Sequence, residues 1–215
     1  MTVRSFKVRA GRLGPERSAD LDRLWASYGL LVGEPVRLAQ LFGRVAPVVL
    51  EIGSGMGETT VAMAGADPDR DLLAVEVHVP GLAALVARIE SAGLSNVRVA
   101  RGDAVTLLAD LPPGALDEVR VYFPDPWPKV KHHKRRLLSA AFVALVAARL
   151  RPGGLLHVAT DWRSYAEGAL EVLAASEDFS VDGFSPRPVW RPVTRFEARG
   201  AFEGRPSYDL LAVRR

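Results

Sequence analysis

Four carboxylates in this 215-residue chain, Glu51, Glu76, Asp103 and Asp125, each stand at or just after the end of a short apolar run. Glu51 opens the segment Glu51-Ile52-Gly53-Ser54-Gly55-Met56-Gly57. Gly53 and Gly55 would let a ligand approach the main chain closely, because glycine has no Cβ in the way. The spacing is not the G-x-G-x-x-G of dinucleotide binders, and a tight strand-to-helix turn needs glycine anyway, so the segment is not by itself a site. Glu76 closes the next apolar run, where a carboxylate can accept from both hydroxyls of a ribose. Asp103 follows Gly102 after a third run and can accept from an adenine amino group. The three positions in series suit an adenosine carrying a charged amino-acid tail, with no pyrophosphate to cradle.

The fourth carboxylate, Asp125, lies in Phe123-Pro124-Asp125-Pro126-Trp127-Pro128-Lys129. Three prolines leave this loop little conformational freedom to lose. Within it Trp127 could stack on a base and Asp125 could accept from the base's N–H groups. The run Lys131-His132-His133-Lys134-Arg135-Arg136 follows directly. Neighbouring histidines on a helix point apart and no third ligand is near, so the pair does not suggest a metal; phosphate contact fits better. The pattern places this run at the start of a long helix, Lys134–Leu150, where cations oppose the helix dipole and a bound phosphate would relieve the conflict. Two more polar segments follow at Thr160-Asp161-Trp162 and Arg191-Pro192-Val193-Thr194-Arg195-Phe196-Glu197. The second could bind a base edge and its phosphate, though read alone it is only a polar loop.

The elements that must carry these residues alternate in type. Strands are expected at Val48–Ile52, Asp71–Val75, Val97–Ala100, Glu118–Phe123, Leu155–Thr160, Phe179–Phe184 and Tyr208–Val213. Helices are expected at Ser18–Tyr28, Gly33–Leu41, Glu58–Ala66, Val79–Ala92, Ala104–Ala109, Lys134–Leu150 and Trp162–Ala174. Such alternation implies a doubly wound α/β fold with a mostly parallel sheet, and ligands in these sheets sit at the carboxyl ends of the strands. The four acids occupy those ends. Residues 1–17 are polar and basic and contain Gly11, Gly14 and Pro15, so they read as a flexible basic arm before one domain spanning 18–215.

Composition removes several classes of function. There is no Cys, so disulfides, thiolate metal sites and thiol nucleophiles are excluded. The first residues lack the apolar core of a signal peptide, and no apolar run is long enough to span a bilayer, so a cytoplasmic location without membrane contact is expected. The net charge of +3 is modest, but cations crowd the first 23 positions and Lys129–Arg136, a distribution that draws a polyanion. Monomer and homodimer both remain open.

In its segments EIGSGMGE, VEVH, GDA, FPDPWPK with the basic run after it, TDWRSYAE and RPVTRFEARG, the chain resembles the bacterial tRNA (guanine-N7-)-methyltransferases. The resemblance extends from Ser5 to the last strand and is most specific in FPDPWPK and TRFE. It implies a Rossmann-like class I methyltransferase with a seven-stranded sheet, S-adenosyl-L-methionine as cofactor and tRNA as partner, with guanine 46 of the variable loop as the usual target. It further implies that Glu51, Gly53, Gly55, Glu76, Asp103 and Asp125 bind the cofactor, with Asp125 also catalytic. Lys129, Asp161, Thr194, Arg195, Phe196 and Glu197 would bind the target nucleotide, and Lys131, His132, His133, Lys134, Arg135 and Arg136 would touch the RNA. Gly14-Pro15-Glu16 departs from the more polar stretch expected in the arm. Two other readings fit the residues: an amino-group methyltransferase, because Asp125-Pro126-Trp127 is similar to acid–Pro–aromatic loops that hold an exocyclic amine, and a non-catalytic RNA-binding protein on the same fold.

Overall fold

The computed structural model describes residues 5–6 and 12–215. Eight strands form one sheet: β1 (Gly29–Leu31), β2 (Val48–Ile52), β3 (Asp71–Glu76), β4 (Val97–Arg101), β5 (Leu116–Tyr122), β6 (Leu150–Thr160), β7 (Phe179–Ser185) and β8 (Tyr208–Arg214). Their spatial order is β1-β4-β3-β2-β5-β6-β8-β7. All neighbours pair in parallel except β8, which runs antiparallel to both β6 and β7. The chain winds outward from β2 in one direction and resumes at β5 in the other, so strand order reverses between β2 and β5. The carboxyl end of β2 therefore faces the crevice in which such sheets hold ligands.

The helices are α1 (Pro15–Tyr28), α2 (Leu38–Phe42), α3 (Glu58–Ala66), α4 (Val79–Ser91), α5 (Ala104–Asp110), α6 (Ala140–Arg149), α7 (Arg163–Ala174) and α8 (Arg195–Phe202). Central strands alternate two apolar faces. Leu50, Leu73, Val119 and Val158 pack with α5, α6 and α7, whereas Val49, Leu72, Ala74 and Val99 pack with α1 and α4. None of the helices among the described residues is long and apolar enough to cross a membrane.

Four expectations need correction. The sheet has eight strands rather than seven, because Gly29–Leu31 adds to β4 at the edge; three residues are too short to show a period. Helix α1 starts at Pro15, inside the stretch expected as an arm, with proline in the first turn where its missing N–H is not needed; residues 1–4 and 7–11 of that arm lie outside the described residues. The helix expected at Gly33–Leu41 is instead the shorter Leu38–Phe42; Pro35 disfavours helical geometry in the residue before it. The basic run does not open the long helix. Val130–Arg135 form a 3-10 turn, and α6 begins at Ala140 behind Ser139, whose hydroxyl accepts from Phe142 N. The dipole conflict inferred for these cations therefore does not exist.

Candidate active site

Glycines hold the loop after β2 against α4 on one side and leave it open on the other. Gly53 and Gly55 adopt φ of +80° and +59°, and a Cβ on either would meet no atom within 4 Å. In contrast, a Cβ on Gly57 would run into Leu85 of α4, and one on Gly81 would overlap the Gly55 carbonyl. The bare backbone of residues 53–55 thus lines open space, while its position is fixed from behind.

Glu51 lies buried at the end of β2, and its Oε2 has no hydrogen-bond partner among the described residues; the buried Ser54 Oγ is likewise unpartnered. Burial pushes the Glu51 carboxyl above the usual carboxylate range, with Thr60 and Arg120 pulling the other way. Glu76, at the end of β3, closes the other side of the loop. Its Oε2 accepts from Gly55 N at 2.9 Å, and its Oε1 accepts from Val77 N at 2.7 Å and His78 N at 2.8 Å. Three of the roughly four acceptor positions of that carboxylate are taken by backbone. Asp103 caps α5 through Val105 N, 2.9 Å from Oδ1, and Val32 covers Gly102 beside it.

The Asp125 loop leaves β5 through a strained turn. Phe123 and Trp127 have φ of +51° and +45°, left-handed values that cost a non-glycine residue about 1 kcal/mol or more. Their surroundings hold them there. Trp127 is only 4% exposed; its Nε1 donates to the Ser5 carbonyl at 2.8 Å, and the Arg135 guanidinium sits 3.7 Å from the ring centroid. The indole is therefore a wedge inside the loop and not an open platform for a base. Arg136 closes the loop from outside, donating to Pro126 O at 3.1 Å, Ser164 O at 2.8 Å and Ser164 Oγ at 3.0 Å. The half-buried Asp125 lies between these braces.

Segment 191–197 is not only a polar loop: Thr194 and Glu197 form a capping box that starts α8. Thr194 Oγ1 accepts from Glu197 N at 3.0 Å. The signal, Thr-x-x-Glu, is present in the sequence. Helix α8 lies over the site. Arg195 reaches Glu58 at the start of α3, 3.5 Å away, and the Phe196 ring stacks on Phe123 with centroids 6.5 Å apart. Asp161 supports α8 from below: it accepts from Arg205 at 2.9 Å, and a Cβ on Gly200 would fall 2.8 Å from its Oδ2. Sequence reasoning missed the buried polar chain beneath: Tyr122, His157, Asp209 and Arg191.

A sequence family described as "Putative methyltransferase" matches residues 45–210 of the chain. The tRNA (guanine-N(7)-)-methyltransferase of Streptomyces avermitilis is 52% identical over 97% of this chain and 74% of its own length. The one from Alcanivorax borkumensis is 50% identical over 99% of this chain and 92% of its own. The chain belongs to this methyltransferase family. Solved structures agree on the Rossmann-like class I methyltransferase fold. An rRNA methylase from Streptococcus thermophilus superposes with a TM-score of 0.55 at 13% identity, covering 95% of this chain and 99% of that one. A "putative methyltransferase" from Streptococcus mutans, solved in complex with SAH, gives 0.54 at 13% identity, covering 95% and 100%. Family membership makes methylation dependent on S-adenosylmethionine the chemistry to which the strand-end acids must be fitted.

The basic residues divide into two groups. Lys129, Lys131 and Lys134 are exposed, whereas His132, His133, Arg135 and Arg136 are half-buried. Arg135 and Arg136 brace the Asp125 loop as described.

Proposed function

We propose that the chain transfers a methyl group from S-adenosylmethionine to N7 of a guanine in tRNA. The observation that carries this reading is the convergence of Glu51, the open backbone of Gly53–Gly55, Glu76, Asp103 and the braced Asp125 loop at the carboxyl ends of adjacent parallel strands.

The residues fit the cofactor by their chemistry. Glu51 keeps a buried oxygen without a partner beside an open glycine backbone, which suits a cationic amino group. Glu76 and Asp103 sit at the next two strand ends, where ribose and adenine would be held. When bound, S-adenosylmethionine supplies an electrophilic methyl group on a sulfonium. Guanine N7 carries a lone pair and no proton at neutral pH, so the chain has no need of a strong base. Its task is alignment of the base. Methylation leaves the purine cationic, and Asp125 brings a carboxylate to offset that charge as it develops. Arg195 and Phe196 on α8 face the same opening and would hold the target nucleotide. Lys129, Lys131 and Lys134 would contact RNA phosphates beside it.

The test is transfer of labelled methyl groups from S-adenosylmethionine to bulk tRNA, with Asp125→Ala as the paired variant. The reading expects labelling by the native chain and loss of it in a variant that is shown to be folded by its thermal melt. Near-normal turnover by Asp125→Ala would remove Asp125 from the reaction.

A further inference from the structure

We infer that Arg191 is a positioning residue for the target nucleotide, and that Glu197 acts through Arg191 instead of touching the base. The inference rests on the reading above, in which α8 presents Arg195 and Phe196 to the nucleotide.

Arg191 is 0% exposed, and a guanidinium removed from water is tolerated only when its donors are met. Two carboxylates from different elements meet them. Asp209 of β8 takes Nε at 2.8 Å and Nη2 at 2.9 Å. Glu197 of α8 takes Nη1 at 2.7 Å and Nη2 at 3.2 Å. The guanidinium also lies over the rings of Tyr122 and Phe123, 5.7 and 5.8 Å from their centroids. One planar fork therefore ties the end of β5, the first residue of the Asp125 loop, β8 and α8 to one another. Asp209 is oriented in turn: its Oδ1 pairs with His157 Nε2 at 2.7 Å, and His157 Nδ1 meets the Tyr122 hydroxyl at 2.8 Å.

Glu197 has no oxygen left for a ligand of its own. Besides Arg191, Oε1 accepts from Ser207 Oγ at 2.9 Å and Oε2 from Thr194 N at 3.4 Å. Thr194 is buried and its hydroxyl caps α8. The neighbours between them behave oppositely: Arg195 has a side chain 74% exposed, and Phe196 is 59% exposed. The segment thus has an inner pair that fixes the helix start and an outer pair whose side chains stay largely exposed, Arg195 beside Glu58 and Phe196 against Phe123, where a nucleotide can reach them. Arg191 sets the distance between that outer pair and the Asp125 loop. A buried ion pair contributes little net stability, so what this one contributes is orientation. Lysine could not reproduce it, since an ammonium lacks the fork.

The full-length chain is assayed with tRNA under steady-state conditions, and cofactor affinity is measured by calorimetry. Arg191→Lys should keep cofactor affinity within about twofold while kcat/KM for tRNA falls about tenfold to hundredfold, the scale of one charged hydrogen bond removed. Glu197→Ala should fall by a similar factor, and the double variant by no more than the worse single one, because the two act as a unit. Glu197→Gln keeps an acceptor for Arg191 and for the helix cap, so it should recover most of the loss seen in Glu197→Ala. If Glu197→Gln is as damaging as Glu197→Ala while Arg191→Lys is mild, the carboxylate touches the base and the inference is wrong. It is also wrong if Arg191→Lys lowers cofactor affinity and tRNA activity together. Should Arg191→Lys not fold, the Gln and Ala variants at 197 decide alone. A native chain inactive on tRNA would instead overturn the reading beneath, and shows itself before any variant is made.

Discussion

Replacing Gly200 with alanine tests whether α8 must sit against Asp161. A Cβ there would lie 2.8 Å from Asp161 Oδ2, 3.0 Å from its Cβ and 3.2 Å from its Cγ. Ordinary contact begins near 3.4 Å, so α8 or Asp161 must retreat by about 0.6 Å. Asp161 has a short side chain already held by Arg205 at 2.9 Å, so the helix moves. Overpacking of this kind costs about 1–3 kcal/mol, against which alanine regains about 1 kcal/mol of helix propensity. The net loss is roughly 1 kcal/mol, or a Tm lower by about 2–4 °C in a chain this size. A shift of that size in α8 also moves Arg195 and Phe196. A misplacement of 1 Å can cost about a hundredfold in rate, so about half that shift should cost about tenfold in kcat/KM for tRNA. Cofactor affinity should not change, because α8 carries none of the strand-end acids. Gly65→Ala in α3 is the control: its Cβ would find only Leu94 Cδ2, at 3.8 Å, so that variant should melt slightly higher. Thermal melts and tRNA kinetics on both variants decide the matter. Gly200→Ala with native Tm and native kcat/KM would refute the close packing argued for α8.

Other expectations follow from the site. Glu51 holds its proton above the usual carboxylate range because of burial, so it costs the cofactor-free chain stability as pH rises through that raised value. Glu51→Gln should raise the Tm of the cofactor-free chain at neutral pH and weaken S-adenosylmethionine binding; melts from pH 5 to 8 with and without cofactor test both signs. Burial holds His157 below the usual histidine range despite Asp209, so its contribution is present above the ordinary value of about 6.5 and fades as pH falls through the lowered one. His157→Phe leaves the Tyr122 hydroxyl without its partner and takes one of three bonds from Asp209, which keeps its pair with Arg191; the unpaired buried hydroxyl should cost about 1–3 kcal/mol, read by denaturant unfolding. Replacing Lys129, Lys131 and Lys134 with Gln should weaken tRNA binding and lower the log–log salt slope by about 0.7–0.9 for each phosphate no longer neutralised. Parallel salt curves would place the RNA elsewhere.

The parallel core was legible because its strands are short apolar runs, and β2 matches its expected bounds. What escaped the sequence was mostly non-local. The indole of Trp127 looks like a stacking platform until Ser5, 122 residues away, is seen to accept from it. Arg191 and Asp209 reveal their pairing only once α8 and β8 are side by side. The basic run misleads for a local reason: Lys134–Leu150 reads as one amphipathic stretch, yet Ser139 caps a helix starting six residues after Lys134, at Ala140. The Thr194–Glu197 capping box is in plain view, but the same polar residues suit ligand contact equally well until the helix is seen. Of the expected site residues, the acids lie together at the strand ends, Arg195 and Phe196 face outward above them, and Asp161, Thr194 and Glu197 bear on protein atoms.

The most direct test of the account is the position of the methyl group. Native tRNA lacking the modification is incubated with the chain and labelled S-adenosylmethionine, digested to nucleosides and separated by mass and retention. The account requires the label in 7-methylguanosine, produced by the native chain and absent with Asp125→Ala. Label on an exocyclic amine, or no transfer to tRNA by a chain that binds the cofactor, would contradict it.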